Sequence, residues 1–192
     1  MLFRSFVATR VAVERPERVS SLTIVDSNTT APEDPTFPSG QFYRDLEARM
    51  PPGPPSLASV RIEPDAQAYD PTSVTAAFLD RMLDIAQLPI RQEGARRLET
   101  ADGAIWRPSL NVRREETLRV FDEHGLAVPT LVLWSRDDPS APLRLGYALY
   151  ERIAAKTADA RLHVLNRSGH YPFRDRPTSF VAAVASFVES VA

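Results

Sequence analysis

The chain is 192 residues long, with 43% apolar and 25% charged residues. That balance fits about one globular domain and excludes a disordered tail, a coiled coil and a collagen-like fibre. Its 23 basic and 25 acidic residues are mixed along the sequence and leave a net charge of −2, so there is no basic stripe to neutralise nucleic-acid phosphates. With no cysteine, a disulfide framework, a cysteine-based zinc site and a thiol nucleophile are excluded together. No apolar run approaches the roughly 20 residues of a bilayer span. Residues 6–9 meet Arg10, Glu14 and Arg15 too soon to form a signal-peptide core. A cytoplasmic protein, off the membrane and off nucleic acid, is expected. Seven glycines stand against seventeen prolines, the reverse of their usual abundance.

Residues 6–16 predict a helix with Val7, Arg10, Val11 and Glu14 at helical spacing, stopped by Pro16. Residues 18–25 are rich in β-branched side chains and end at Asp26-Ser27-Asn28, which predicts a buried strand followed by a turn. From Thr29 to Pro71 the character changes. Nine of the seventeen prolines lie between Pro32 and Pro71, and proline is unsuited to helix interiors and central strands. Short helices over 41–50 and 57–68 are expected there, joined by stiff turns. Residues 72–87 carry Val74, Phe78, Leu79, Met82, Leu83 and Ile85 as a helical stripe, with Thr72 or Ser73 as N-cap. Two more helices are expected over 91–100 and 113–124.

The pattern then reverts. Residues 128–134 form a continuous apolar run of strand length, typical of a strand buried on both faces. A helix follows from Ser140 or Ala141 to Lys156, then a strand over 161–165. A closing helix over 177–191 has Phe180, Val184, Phe187 and Val188 inward. Strand, helical insertion, strand, helix, strand, helix predicts an α/β fold with three parallel strands. Such sheets hold their chemistry in the loops after the strands. Those loops begin at Asp26, at Ser135 and at Asn166. Asp138 lies in the second and His170 in the third, so parallel neighbours bring an acid and an imidazole side by side. A base of this kind needs its other ring nitrogen held by an acceptor.

At these residues a family resemblance enters. The stretch Ser135-Arg136-Asp137-Asp138-Pro139, followed by Arg161-Leu162-His163-Val164-Leu165-Asn166-Arg167-Ser168-Gly169-His170-Tyr171-Pro172-Phe173, resembles the C-terminal end of the α/β-hydrolase fold. With Glu14-Arg15-Pro16-Glu17-Arg18-Val19 and Val25-Asp26-Ser27, it is similar more narrowly to the meta-cleavage-product hydrolases, which cleave carbon–carbon bonds in aromatic degradation. The resemblance runs from about Phe6 to the C-terminus. It implies a sheet core over 1–28 and 125–192, and a helical cap over 29–124 inserted between two strands. It implies His170 as the base and Asp138 as the carboxylate that orients it, with Asp137 the competing choice. Tyr171 and Phe173 would line the site beside His170. The family's cap arginine aligns with Met82, and Arg81 is the neighbouring candidate for substrate contact. A small-molecule substrate of the 2-hydroxy-6-oxo-dienoate type is implied, with no cofactor and no metal; oligomerisation is left open. His163 reads as structural, and His124 as a partner for a helix C-terminus.

One part of the family pattern is missing. Its nucleophile is a serine in Gly-x-Ser-x-Gly, between a strand and the next helix, and no serine in these 192 residues has glycine two before and two after. Counting back from the first helix, that serine would fall near Leu2. The expectation is therefore the rear of a longer hydrolase, inactive by itself and with an open apolar edge on its first strand. Residues 2–5, Leu-Phe-Arg-Ser, are also what CTC-TTC-CGA-TCT, the end of a common sequencing adapter, encodes; a read-through start is expected, with a genuine start codon in a decayed gene as the alternative. An esterase, epoxide hydrolase or dehalogenase of the same fold, or a noncatalytic binding module, are the alternatives.

Overall fold

The structure is a computed structural model that describes residues 4–37 and 40–192. Three parallel strands form one sheet in the order β1 (Leu22–Val25), β2 (Thr130–Ser135), β3 (Ala160–Leu165). Leu22 pairs with Thr130 and Val25 with Leu133, while Thr130 pairs with Ala160 and Ser135 with Leu165. All six residues of the central strand are buried, which is why Leu131 to Trp134 run apolar without alternation between Thr130 and Ser135.

The helices are α1 (Arg4–Glu14), α2 (Gln41–Glu47), α3 (Leu57–Val60), α4 (Ile62–Gln67), α5 (Ala76–Ala86), α6 (Pro89–Leu98), α7 (Ala101–His124), α8 (Leu143–Ala154), α9 (Pro172–Asp175) and α10 (Pro177–Val191). Strand alternation sends Leu22, Ile24, Val132 and Trp134 to one face of the sheet, and Leu131, Leu133 and Leu165 to the other. The first face is covered by Ala12 of α1, Leu118 and Phe121 of α7, and Leu145, Leu149 and Ile153 of α8. The second is covered by α10 through Phe187, with Phe180 and Val184 half-buried beside it. Each fully buried side chain of this size contributes about 1.5–3 kcal/mol of transfer free energy. The Trp134 indole donates from Nε1 to the Ala141 carbonyl at 2.8 Å. Its ring lies against Gly146 of α8, where a Cβ would come within 2.5 Å of the indole. Only glycine lets helix and strand approach that closely.

Several elements differ from expectation for local reasons. The buried stripe of α1 is Phe6, Thr9 and Ala12, while Val7 and Val11 are exposed. Val188 of α10 is likewise exposed. The expected helix over 57–68 divides into α3 and α4 around Arg61, since Pro64 has no N–H to continue a helix begun at Leu57. The N-cap of α5 is Thr75, whose Oγ1 accepts from Phe78 N at 3.3 Å. Residues 71–73 form a separate 3-10 turn held by the Asp70 carboxylate, which accepts from Thr72 N at 2.9 Å. The helix expected over 113–124 reaches back to Ala101 through Pro108; its C-terminal half packs on the sheet while its N-terminal half belongs to the α6 side. The strand expected over 18–25 is shortened to four residues by a 3-10 turn at Pro16–Arg18. Among the described residues β1 pairs with β2 alone and forms one edge of the sheet. Helix α9 was not legible beforehand.

Candidate active site

The three strands end at one side of the sheet, and each contributes a side chain there. After β2, the chain turns so that Asp138 folds back under the start of the next helix. Its Oδ1 accepts from Ser140 N at 2.7 Å, Ser140 Oγ at 2.8 Å and Ala141 N at 3.0 Å. Those bonds fix the carboxylate and delay α8 to Leu143. The other oxygen, Oδ2, lies 2.6 Å from Nδ1 of His170 in the loop after β3. The Asp138 side chain has no exposure and that of His170 is 14% exposed. Burial alone would push the imidazole down; the Asp138 hydrogen bond and charge, aided by Asp26 and Glu63, outweigh it and raise His170 above 6.5. Nε2 makes no hydrogen bond to a described residue. Asp137, the competing acid, is exposed and contributes only its main-chain N–H, to Ser168 O at 3.0 Å.

A second carboxyl lies beside this pair. Asp26, at the end of β1, is 3% exposed. It accepts from Ser135 N at 2.6 Å and from Ser135 Oγ at 2.7 Å, and Ser135 Oγ lies 3.0 Å from Ser168 Oγ. Burial, with the nearby Asp138 charge, pushes the Asp26 carboxyl up to about 8 against the Ser135 hydrogen bonds and the His170 charge.

The helical segment closes on the His170 loop from outside. Gln67, at the end of α4, has no exposure. Its Nε2 donates to Tyr43 Oη and to Ser140 Oγ, each at 3.1 Å, and its main-chain carbonyl accepts from His170 N at 2.9 Å. Desolvation raises the Tyr43 and Tyr171 phenols, so both stay neutral hydrogen-bonding groups. Asp175, in α9, accepts from Gly169 N at 2.8 Å, Tyr69 N at 3.0 Å and Ser73 Oγ at 3.0 Å. Arg174 donates to the Ser73 carbonyl and stacks on Phe78, 3.5 Å from its ring centroid. Short α9 therefore clips α4 and α5 to the loop that carries His170.

Of the residues singled out from sequence, His170 and Asp138 are brought together. Tyr171 is 5% exposed, with its ring edge-on to His170 at 5.7 Å and also touching Phe78 and Phe173. Phe173 is one ring further out, 39% exposed, between Tyr171 and Phe180. Arg81 is not part of the cluster. Its side chain is 76% exposed and pairs with Asp84 one turn along α5, because its position on the helix faces solvent. His163 is exposed on β3, and the His124 side chain, 74% exposed at the end of α7, lies 3.7 Å from Glu123. The nucleophile position near Leu2 falls outside the described residues. Ser5, just after it, donates to the Val25 carbonyl at 3.2 Å. A cavity of about 320 Å³ lined by Asn28, Glu33, Arg114 and Leu145 touches neither His170 nor Asp138. Sequence reasoning missed Gln67, Tyr43, Asp175 and the burial of Asp26; only Asp26, directly after an apolar strand, carried a local signal. Among the described residues no helix is long and apolar enough to cross a membrane.

Comparison with known proteins bears on the fold. The chain is 24% identical over 193 aligned residues to the 2-hydroxy-6-oxononadienedioate/2-hydroxy-6-oxononatrienedioate hydrolase of Cupriavidus pinatubonensis, covering 94% of this chain and 57% of that protein. A hydrolase of the same name from Paraburkholderia xenovorans is 33% identical over 63 residues, covering 33% of this chain and 20% of its own. The chain thus spans little more than half the length of the Cupriavidus relative. Among solved structures, the meta-cleavage product hydrolase of Pseudomonas fluorescens superposes with a TM-score of 0.70 at 22% identity, over 99% of this chain and 63% of that one. The 2-hydroxy-6-oxo-6-phenylhexa-2,4-dienoate hydrolase of Rhodococcus superposes at 0.69 and 19% identity, over 96% and 60%. The profile described as the alpha/beta hydrolase family matches residues 5–184, and the chain belongs to that family.

Proposed function

We propose that this segment supplies the base and its orienting carboxylate to a hydrolase that cleaves a carbon–carbon bond in a small 2-hydroxy-6-oxo-dienoate-type substrate. The observation that carries the reading is the buried Asp138 carboxylate, 2.6 Å from Nδ1 of His170. With Nδ1–H donated to Asp138, neutral Nε2 keeps its lone pair. It can take a proton from an attacking hydroxyl and return it to the carbon that departs. In the overall reaction the hydroxyl of water ends on the acyl carbon and its proton on the leaving carbon. Residues 1–28 and 125–192 would form the catalytic core and 29–124 the cap, with α7 shared between them. Tyr171 and Phe173 would be apolar walls beside the base. The dienedioate hydrolase similarity favours this substrate class over an ester, epoxide or haloalkane.

The 192 residues contain no Gly-x-Ser-x-Gly, so the nucleophile is assigned to a segment joined ahead of α1. The covalent route and the main-chain oxyanion donors of this family both belong to the serine elbow and the loop ahead of it. The 192-residue polypeptide is expected to show no dienoate or ester hydrolysis above a His170→Ala control. An extended chain with the serine elbow directly ahead of Phe6 should consume the dienoate, and lose that activity in His170→Ala and Asp138→Ala. Cleavage of p-nitrophenyl esters without cleavage of the dienoate would reassign it to the esterases. Activity indifferent to His170→Ala would reject the reading.

A further inference from the structure

We propose that Asp26 is a positioning residue for the Asp138–His170 pair. It acts through a buried hydroxyl chain, Ser135 then Ser168, that crosses the ends of all three strands and stops at Gly169, the residue before His170. The proposal rests on the reading of that pair as orienter and base.

The geometry begins at the end of β1. Asp26 adopts φ +41°, a left-handed conformation uncommon outside glycine but tolerated by aspartate. Its carboxyl receives both the Ser135 main-chain N–H and contact with Ser135 Oγ, at 2.6 and 2.7 Å. Ser135 Oγ is 3.0 Å from Ser168 Oγ, which in turn is 3.5 Å from the Gly169 carbonyl oxygen. Ser135 and Ser168 have no exposure, so water does not compete for these hydrogens.

Each hydroxyl has one hydrogen to give, and that fixes the chain's direction. When Asp26 is ionised, Ser168 donates to Ser135 and Ser135 donates to Asp26, leaving the Gly169 carbonyl without a donor from the chain. When Asp26 is protonated, it donates to Ser135, Ser135 donates to Ser168, and Ser168 turns to the Gly169 carbonyl. Uptake of one proton at Asp26 therefore reverses two buried hydroxyls and alters the hydrogen bonding of the peptide unit that leads into His170. Asp26 is faced by Asp138 and His170; His170 is faced by Asp138, Asp26 and Glu63 of α4. Burial and the Asp138 charge push the Asp26 carboxyl up to about 8, which brings its neutral form within reach. In that form Asp138 is the only anion of the two acting on the imidazole. A purely structural bridge would hold the strand ends together equally well, but the Asp26 charge would then reach His170 only through space, and the Gly169 carbonyl would not answer to it.

The test is NMR of the His170 ring nitrogens and the Gly169 carbonyl carbon in the folded 192-residue chain, titrated from about pH 5 to 10. The ring should report its own protonation step and, separately, an inflection near pH 8, with the Gly169 carbonyl moving at that second step. Asp26→Asn should keep the first step and lose the second. Ser168→Ala, which leaves the carboxyl in place, should abolish the Gly169 response. Flat ring and carbonyl signals from pH 7 to 9 in the parent, or a second step that survives Asp26→Asn, would overturn the proposal. Should Asp26→Asn not fold, an unchanged Gly169 response in Ser168→Ala overturns it alone. Asp138→Asn separates the two levels: if it leaves the first step unmoved, the base pair itself is misread. If it moves that step while the second is missing, only the role of Asp26 fails.

Discussion

The main-chain N–H of His170 donates to the carbonyl oxygen of Gln67 at 2.9 Å, so the candidate base is held by the helical segment as well as by the sheet. The neighbouring residue makes the contact possible. A Cβ on Gly169 would lie 2.1 Å from that same Gln67 oxygen and 2.7 Å from Tyr69 N, distances that no side chain accommodates.

Gly169→Ala is therefore expected to push residues 67–69 off the His170 loop, at a cost of about 1–3 kcal/mol as for other forced overpacking. Gly94, in α6, has nothing within 4 Å of where its Cβ would stand. Gly94→Ala should gain about 0.5–1 kcal/mol from helix propensity. Denaturant unfolding of the two variants against the parent checks both signs. Equal effects would mean that the Gln67 contact does not constrain the fold.

Asp175 is the clip between the two parts. Asp175→Ala strands the donors of Gly169, Tyr69 and Ser73, with an expected cost of about 1–3 kcal/mol. Amide hydrogen exchange at Gly169 and Tyr69 should accelerate well beyond that of Val132 in the sheet core. A uniform change across the chain would show that Asp175 stabilises globally rather than at this seam.

Asp26 gives a pH dependence of definite sign. Its folded-state value, about 8, lies above its ordinary 3.8, so the native state binds the proton more tightly than the unfolded chain does. Stability from this group is full below about pH 4 and is lost progressively as pH rises to about 8. Asn at this position has no such titration. The stability of Asp26→Asn relative to the parent should rise from about pH 4 and level off above about pH 8. A difference independent of pH, measured by denaturant unfolding at each pH, would contradict the burial of an acid there.

The sheet was legible because its signals are local. The run Leu131-Val132-Leu133-Trp134 is apolar without interruption, and β2 is buried along its whole length. Asp138 and His170 were legible because parallel strands place their loops together, and two neighbouring acids left only the choice between Asp137 and Asp138 open. In the structure Asp138 is buried against His170 and Asp137 is exposed. Gln67 was not legible: its partners Tyr43 and Ser140 lie 24 and 73 positions away, and a lone glutamine near a helix end has no periodic signature. Helix α9 is a single turn that packing holds in place, too short for propensity to announce. Arg81 sits one position from the aligned Met82, which turns its side chain by about 100° around the helix, and it lies in solvent paired with Asp84.

The most direct measurement of the central claim is the tautomer and titration midpoint of His170, read from its two ring nitrogens in the folded chain. Neutral His170 is expected to carry its proton on Nδ1, donated to Asp138, and to leave Nε2 bare. Its midpoint should lie above 6.5, in the direction set by the Asp138 partner, and should fall in Asp138→Asn. A neutral form protonated on Nε2, or a midpoint that Asp138→Asn does not move, would contradict the pairing from which the proposed chemistry is built.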